Sequence, residues 1–335
     1  MELSKKQIKR IKAMLPDTNT GIKINLPIEW STTWIERKRK ESPSSIVTFL
    51  GCSLRWYIER YSPLPDSGDI SAWSLGGTIA HRILEVYYSE PADKRSVRLL
   101  KDVIAVTWDA IEGGNDEDGI VNEEIINGYQ KVLQQGTYSV NHQAAFIKEL
   151  VTKSINNIFE FDAKPEEVDV ISNETWLRTV SNGITINGKA DRIVRLKNGK
   201  VSIDDWKTGN VYNDDNDEIT VLDTTFLPAG MYAWMMLSMH KGDLIPPEID
   251  SVALMYLAHL KTFRVIINEE VIATVDELIN RVTKLMNKMV INGEVYATPS
   301  AKRSDTMCKY CPILDYCPAW TDNNGLEGVR EAWGV

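Results

Sequence analysis

The chain has 335 residues, 43% hydrophobic and 25% charged, with 38 Lys and Arg against 47 Asp and Glu. That composition is globular and ample for a core, and the net charge of −9 excludes a generally basic, nucleic-acid-coating surface while leaving room for a local basic path. No run approaches the roughly 18 apolar residues of a membrane span, and the charged start MELSKKQIKRIKAMLPD has no apolar signal core. A soluble, cytoplasmic protein with no membrane partner is expected.

A first helix is predicted over Leu3 to Leu15, followed by a stretch containing Pro and Ser. Residues 46–62, IVTFLGCSLRWYIERYS, carry apolar and aromatic residues at helical spacing together with Cys52. Trp56, Tyr57 and Tyr61 in that segment have two readings, base stacking or core packing, and the helical spacing favours the core. Gly76-Gly77-Thr78 reads as a glycine turn leading into the buried helix IAHRILEVYY. Residues 97–160 read as helical, with an acidic, glycine-containing loop at 112–119.

From about residue 166 the period changes from helical to alternating. VDVISNETWLRTV, GITINGKADRIVRL and KVSIDDWK read as three strands joined by Asn-Gly turns at 182–183 and 198–199. A helix from Thr225 to Met239, strands at 251–258 and 262–267, and a long helix over 269–291 follow. The tail from 293 holds three of the four cysteines, Cys308, Cys311 and Cys317. The expected class is α/β, one elaborated domain of three regions. These are a helical region over 1–165 with Cys52 and His81, a mixed-sheet core over 166–292, and a cysteine segment over 293–335.

Side chains alternate faces along a strand, so Ile203, Asp205 and Lys207 share one face and Ser202, Asp204 and Trp206 the other. Asp191, on the preceding strand of the same hairpin, approaches the same point as Asp205. Two carboxylates with open positions suit Mg²⁺ or Mn²⁺. Such an ion acidifies bound water and offsets charge developing on a phosphate, and Lys207 is placed to orient the nucleophile. The bland alternative is a surface hairpin with ordinary charges. Four thiolates grouped one plus three look like a single metal site in a reducing compartment, either tetrahedral Zn²⁺ or an iron–sulfur cluster.

GKADRIV followed by IDDWKTG resembles the core of the RecB-like branch of the PD-(D/E)XK nuclease superfamily. Gly77-Thr78-Ile79-Ala80-His81 matches that family's upstream Gly-x-x-x-His motif. One departure is FLPAGMYAWMM, which keeps Tyr232 but has Pro228 where the family's Gln-x-x-x-Tyr motif has glutamine. The resemblance implies a restriction-endonuclease-like fold in which His81, Asp191, Asp205 and the main-chain carbonyl of Trp206 hold the metal and Lys207 serves catalysis. Glu85, one helical turn beyond His81, is a further metal candidate. The cysteine arrangement is similar to the iron–sulfur branch that includes the AddB subunit and CRISPR-associated exonucleases. That implies a structural 4Fe–4S cluster on Cys52, Cys308, Cys311 and Cys317. The function implied is an exonuclease on DNA single strands or duplex ends in recombination or repair, of bacterial or phage type, with a helicase or recombination protein as partner. The alternative is a non-catalytic DNA-binding scaffold on a nuclease fold.

Overall fold

The computed structural model describes residues 1–15, 22–25, 39–61, 71–114, 119–135, 140–162, 164–209, 226–292, 294–297 and 311. Its chain order begins α1 (Lys5–Ala13), β1 (Ile22–Asn25), β2 (Lys40–Glu41), α2 (Pro43–Gly51), α3 (Ser53–Tyr61), α4 (Ala72–Ser89), α5 (Val97–Gly113), α6 (Glu123–Gln135) and α7 (Val140–Asn156). It continues with the single turn α8 (Ile158–Phe161), β3 (Asp169–Ser181), β4 (Ile184–Arg195), β5 (Val201–Lys207), α9 (Phe226–Met239), β6 (Ile249–Tyr256), β7 (Lys261–Ile266), α10 (Glu269–Asn292) and β8 (Glu294–Ala297).

Local chemistry sets several boundaries. Ser42 caps α2 through a reciprocal Ser42–Ser45 capping box with Pro43 in the first turn, where its missing N–H costs nothing. Ser71 and Ser96 accept from the first turns of α4 and α5. Asn182 and Gly183 both sit at positive φ, as a two-residue hairpin between β3 and β4 requires. The glycine pair at 76–77 differs from the sequence expectation. It lies inside α4, which starts at Ala72, because both glycines serve packing rather than a turn.

Six strands form a mixed sheet in the order β2-β4-β5-β6-β7, with β3 antiparallel to β4 along its whole length. Since β3 occupies one edge of β4, β2 and β5 share the other. β2 pairs at Thr185 and Ile186, and β5 at Arg192 to Arg195. Among the described residues, no strand pairs with 187–191 on that edge. β5 then runs parallel to β6 through Lys207. A second, two-stranded sheet joins β1 to β8, a pairing of distant segments that no local pattern announces.

Helices cover both faces. One core gathers α2, α3, α9 and α10 around Ile186, Ile203 and Val252. The other gathers α4 to α7 around Trp206, Ala253 and Met255. Alternation along β5 therefore sends Ile203 to one core and Trp206 to the other. Trp56 and Tyr57 are fully buried in the first core, and the Trp56 indole donates to buried Glu41 at 3.1 Å. No helix among the described residues is long and apolar enough to cross a membrane.

Candidate active site

Where β5 parts from β4, the main-chain N–H of Trp206 donates to Asp191 Oδ2 at 2.7 Å. A side-chain carboxylate thus replaces a ladder acceptor, and it is held rigidly at the gap in the sheet edge. The other oxygen of Asp191 lies 3.3 Å from His81 Nδ1. Asp205 and Lys207, on the same face of β5, form an ion pair at 2.5 Å, with Asp205 buried and Lys207 one-third exposed. Beyond that ion pair, Asp205 Oδ2 has no hydrogen-bond partner among the described residues.

Two glycines let the elements meet. A Cβ on Gly77 would stand 2.8 Å from Thr208 Oγ1, so α4 can lie against the end of β5 and present His81 only because this position is bare. Gly76 has the same relation to α7, where Leu150 Cδ2 would be 2.7 Å away. On β4, a Cβ at Gly188 would meet the Tyr232 ring at 2.6 Å. Tyr232 packs there with its hydroxyl held well above its ordinary pKa, first by burial and then by Asp205 and Asp191. Pro228 falls in the first turn of α9, which a proline tolerates.

The electrostatics are those of a crowded acidic site. Burial pushes the Asp205 carboxyl up, Lys207 opposes this, and Asp191 adds to the rise, leaving it above the usual carboxylate value. Burial lowers the His81 imidazole, but Asp191 outweighs it and the net shift is upward. Lys207 behaves alike: burial lowers its pKa, and the attraction of Asp205 raises it further.

Sequence reasoning missed Glu174. The β3–β4 register runs from Asn173↔Arg192 to Thr175↔Ala190, so Glu174 stands opposite Asp191. Glu174 adopts φ +46°, a left-handed conformation costly for a side chain other than glycine. Its carboxylate is nearly buried and paired with Lys189 at 2.5 Å. One ligand atom each from His81, Glu174 and Asp191 lie within 4.8 Å of one another. Like charges directly opposite on a ladder destabilise it unless a cation joins them. Two carboxylate oxygens and one imidazole nitrogen at this spacing fit a hard divalent cation. No residue pattern announces Glu174, because its place depends on the strand register.

Glu85 lines a cavity of about 360 Å³ together with His81, Glu174 and Asp191, and its carboxylate is engaged by Arg82 at 2.7 Å. Cys52 stands at the junction of α2 and α3, half-buried, and Cys311 is half-buried against the same core. Cys308 and Cys317 fall outside the described residues.

On the opposite face of β5 both oxygens of Asp204 are engaged, while Arg192 Nε and Trp206 Nε1 are buried without a hydrogen-bond partner among the described residues. Arg192, 2% exposed, donates to Asp204 at 2.8 Å and pairs with Asp162, and its guanidinium lies 4.6 Å from the Tyr88 ring centre. Ser202 donates to the remaining oxygen of Asp204 at 2.8 Å.

The family model for the PD-(D/E)XK nuclease superfamily matches residues 40–318. The chain belongs to the PD-(D/E)XK nuclease superfamily. The match spans both the carboxylate–lysine site and the cysteine segment, and the mixed sheet flanked by helices is consistent with a restriction-endonuclease-like fold. Among solved structures, the chain is similar to one described as the crystal structure of SSO0001, at 15% identity and a TM-score of 0.33, with 87% of this chain and 95% of that one covered. No curated protein matches the sequence.

Proposed function

We propose that this PD-(D/E)XK protein is a Mg²⁺- or Mn²⁺-dependent deoxyribonuclease, an exonuclease acting on DNA single strands or duplex ends in recombination or repair. The observation that carries the reading is the convergence of His81, Glu174 and Asp191 beside the Asp205–Lys207 pair. His81, Asp191, Asp205 and the Trp206 carbonyl hold the metal in this reading, with Glu174 as a further ligand in the place considered for Glu85. A divalent cation there supplies positive charge against the developing phosphate oxyanion and acidifies a water. The chain's own groups do the rest. Lys207, anchored by Asp205, presents its ammonium N–H groups to orient the attacking water and the phosphate. Asp191 holds His81 and the Trp206 amide in fixed relation, so the constellation needs no rearrangement when substrate arrives. Tyr232 and Gly188 close the floor beneath the carboxylates.

The same reading assigns Cys52, Cys308, Cys311 and Cys317 to a structural 4Fe–4S cluster. Support comes from Cys52 and Cys311 packing against one core. It also comes from β8, which leads into the cysteine segment and contacts α3, the helix that follows Cys52. Thiolates so distant in sequence would close a long loop and stabilise the fold through the unfolded chain. Iron and sulfide analysis tests this directly: Cys52→Ala loses iron and melts lower, whereas a colourless variant of unchanged stability contradicts it.

The nuclease reading is tested with anaerobically purified protein and end-labelled single- and double-stranded DNA, in Mg²⁺, Mn²⁺ or EDTA. Cleavage that requires metal and is absent from Lys207→Ala is expected, and the product ladder gives polarity. Tight DNA binding without cleavage in any metal would overturn it.

A further inference from the structure

A second cavity, of about 650 Å³, adjoins the one that contains His81 and Asp191, and Trp73 and Thr208 line both. The two are lobes of one trough, with Thr208 following Lys207 directly at their junction. The larger lobe is mostly apolar in its walls, and its prominent side chain is Trp73, 58% exposed. An indole left in water at the lip of a catalytic cavity forgoes the burial that usually places tryptophan. This one does not swing freely, because its ring meets Phe146 edge to face at 4.9 Å and 77°. A ring held in place before a ligand arrives loses little entropy on binding. Lys153, exposed on α7 with Phe146, lines the same lobe, as does Glu149, its one carboxylate among the described residues.

Trp73 precedes His81 by eight residues on α4, roughly 12 Å along the axis at 1.5 Å per residue. A strand whose scissile phosphate lay at His81 and Asp191 would bring a nearby nucleotide within reach of this lobe. We propose that the larger lobe is a subsite for an unpaired nucleotide of the strand being cut, its base stacked on the exposed face of Trp73 and its phosphate beside Lys153. The proposal rests on the nuclease reading above and narrows its substrate to a strand that is single at the site. In a duplex, each base already has its faces covered by its neighbours, whereas an unpaired base offers one to the indole. Such stacking is indifferent to sequence, since every base has a π-face. The buried pair Trp56 and Tyr57 cannot serve, as neither exposes a ring.

The test is binding in EDTA, where cleavage cannot occur, with single-stranded oligonucleotides carrying 2-aminopurine or one abasic position. Trp73→Ala is expected to weaken single-strand binding about tenfold or more, the size of one lost base–aromatic stack, and to abolish the quenching of 2-aminopurine. Trp73→Tyr restores both, and blunt duplex binding is unchanged throughout. Wild-type protein discriminates against the abasic strand, and Trp73→Ala does not. Single-strand binding by Trp73→Ala within twofold of wild type, or equal abasic discrimination by both, overturns the subsite. Wild-type protein that quenches 2-aminopurine in EDTA but cleaves no strand in Mg²⁺ or Mn²⁺ would sink the nuclease reading and leave the subsite standing.

Discussion

The two faces of β5 each carry a buried carboxylate, Asp204 on one and Asp205 on the other, and their surroundings differ in kind. Asp204 has every oxygen engaged, by Arg192 at 2.8 Å and Ser202 at 2.8 Å, under a layer formed by Tyr88 and Trp206. Asp205 meets one ammonium and, across the gap in the β4 edge, a second carboxylate that raises its pKa. A buried carboxylate with both oxygens hydrogen-bonded fixes a structure, whereas one left partly unpaired costs stability and marks a candidate functional group. One strand, through its two-residue period, thus carries an anchor for the helical lobe and the proposed reactive carboxylate on adjacent residues.

The largest effect expected on this contrast comes from Arg192→Met. It leaves Asp204 and Asp162 buried without their cation, and breaking such a pair costs roughly 3–5 kcal/mol. Thermal melting should show a sharply lowered Tm, and a Tm near wild type would erase the difference between the faces. Asp205→Asn belongs at the other pole: cleavage falls by roughly a hundredfold or more, the scale of losing one preorganised group, while melting stays at or above wild type. Metal binding sharpens the comparison further. Mn²⁺ titrated calorimetrically into Glu174→Gln should bind roughly ten- to a hundredfold more weakly than into wild type, as losses of ligand-shell groups do. Mn²⁺ should also raise the Tm of wild type through linkage, but not that of Asp191→Ala. The smallest expected effect is Gly188→Ala, which drives a methyl into Tyr232 and costs about 1–3 kcal/mol by overpacking. A Gly188→Ala protein as stable as wild type would mean Tyr232 moves easily and does not fix the site floor.

Most of the candidate site's geometry was legible because its signals are local. The strand period placed Asp205 and Lys207 together, the hairpin brought Asp191 alongside, and Gly-x-x-x-His lay on one helix. What escaped depends on geometry between distant segments. Glu174 sits in an unremarkable Asn-Glu-Thr stretch, and only the register opposite Asp191 gives it meaning. Trp73 precedes the helix motif, and its exposure is a property of the fold. The early start of α4 was hidden for a related reason: glycines ordinarily punctuate a chain, but here they admit Leu150 and Thr208. The β1–β8 pairing joins segments far apart in sequence and leaves no trace in either one alone.

The division of labour across β5 is tested most directly by single-turnover cleavage of an end-labelled single strand in Mn²⁺ by Asp205→Asn, with its thermal melt recorded beside wild type. The account predicts an intact melt and no product over the time wild type needs to finish. Cleavage within a few-fold of wild type, or a protein that no longer melts cooperatively, would contradict it.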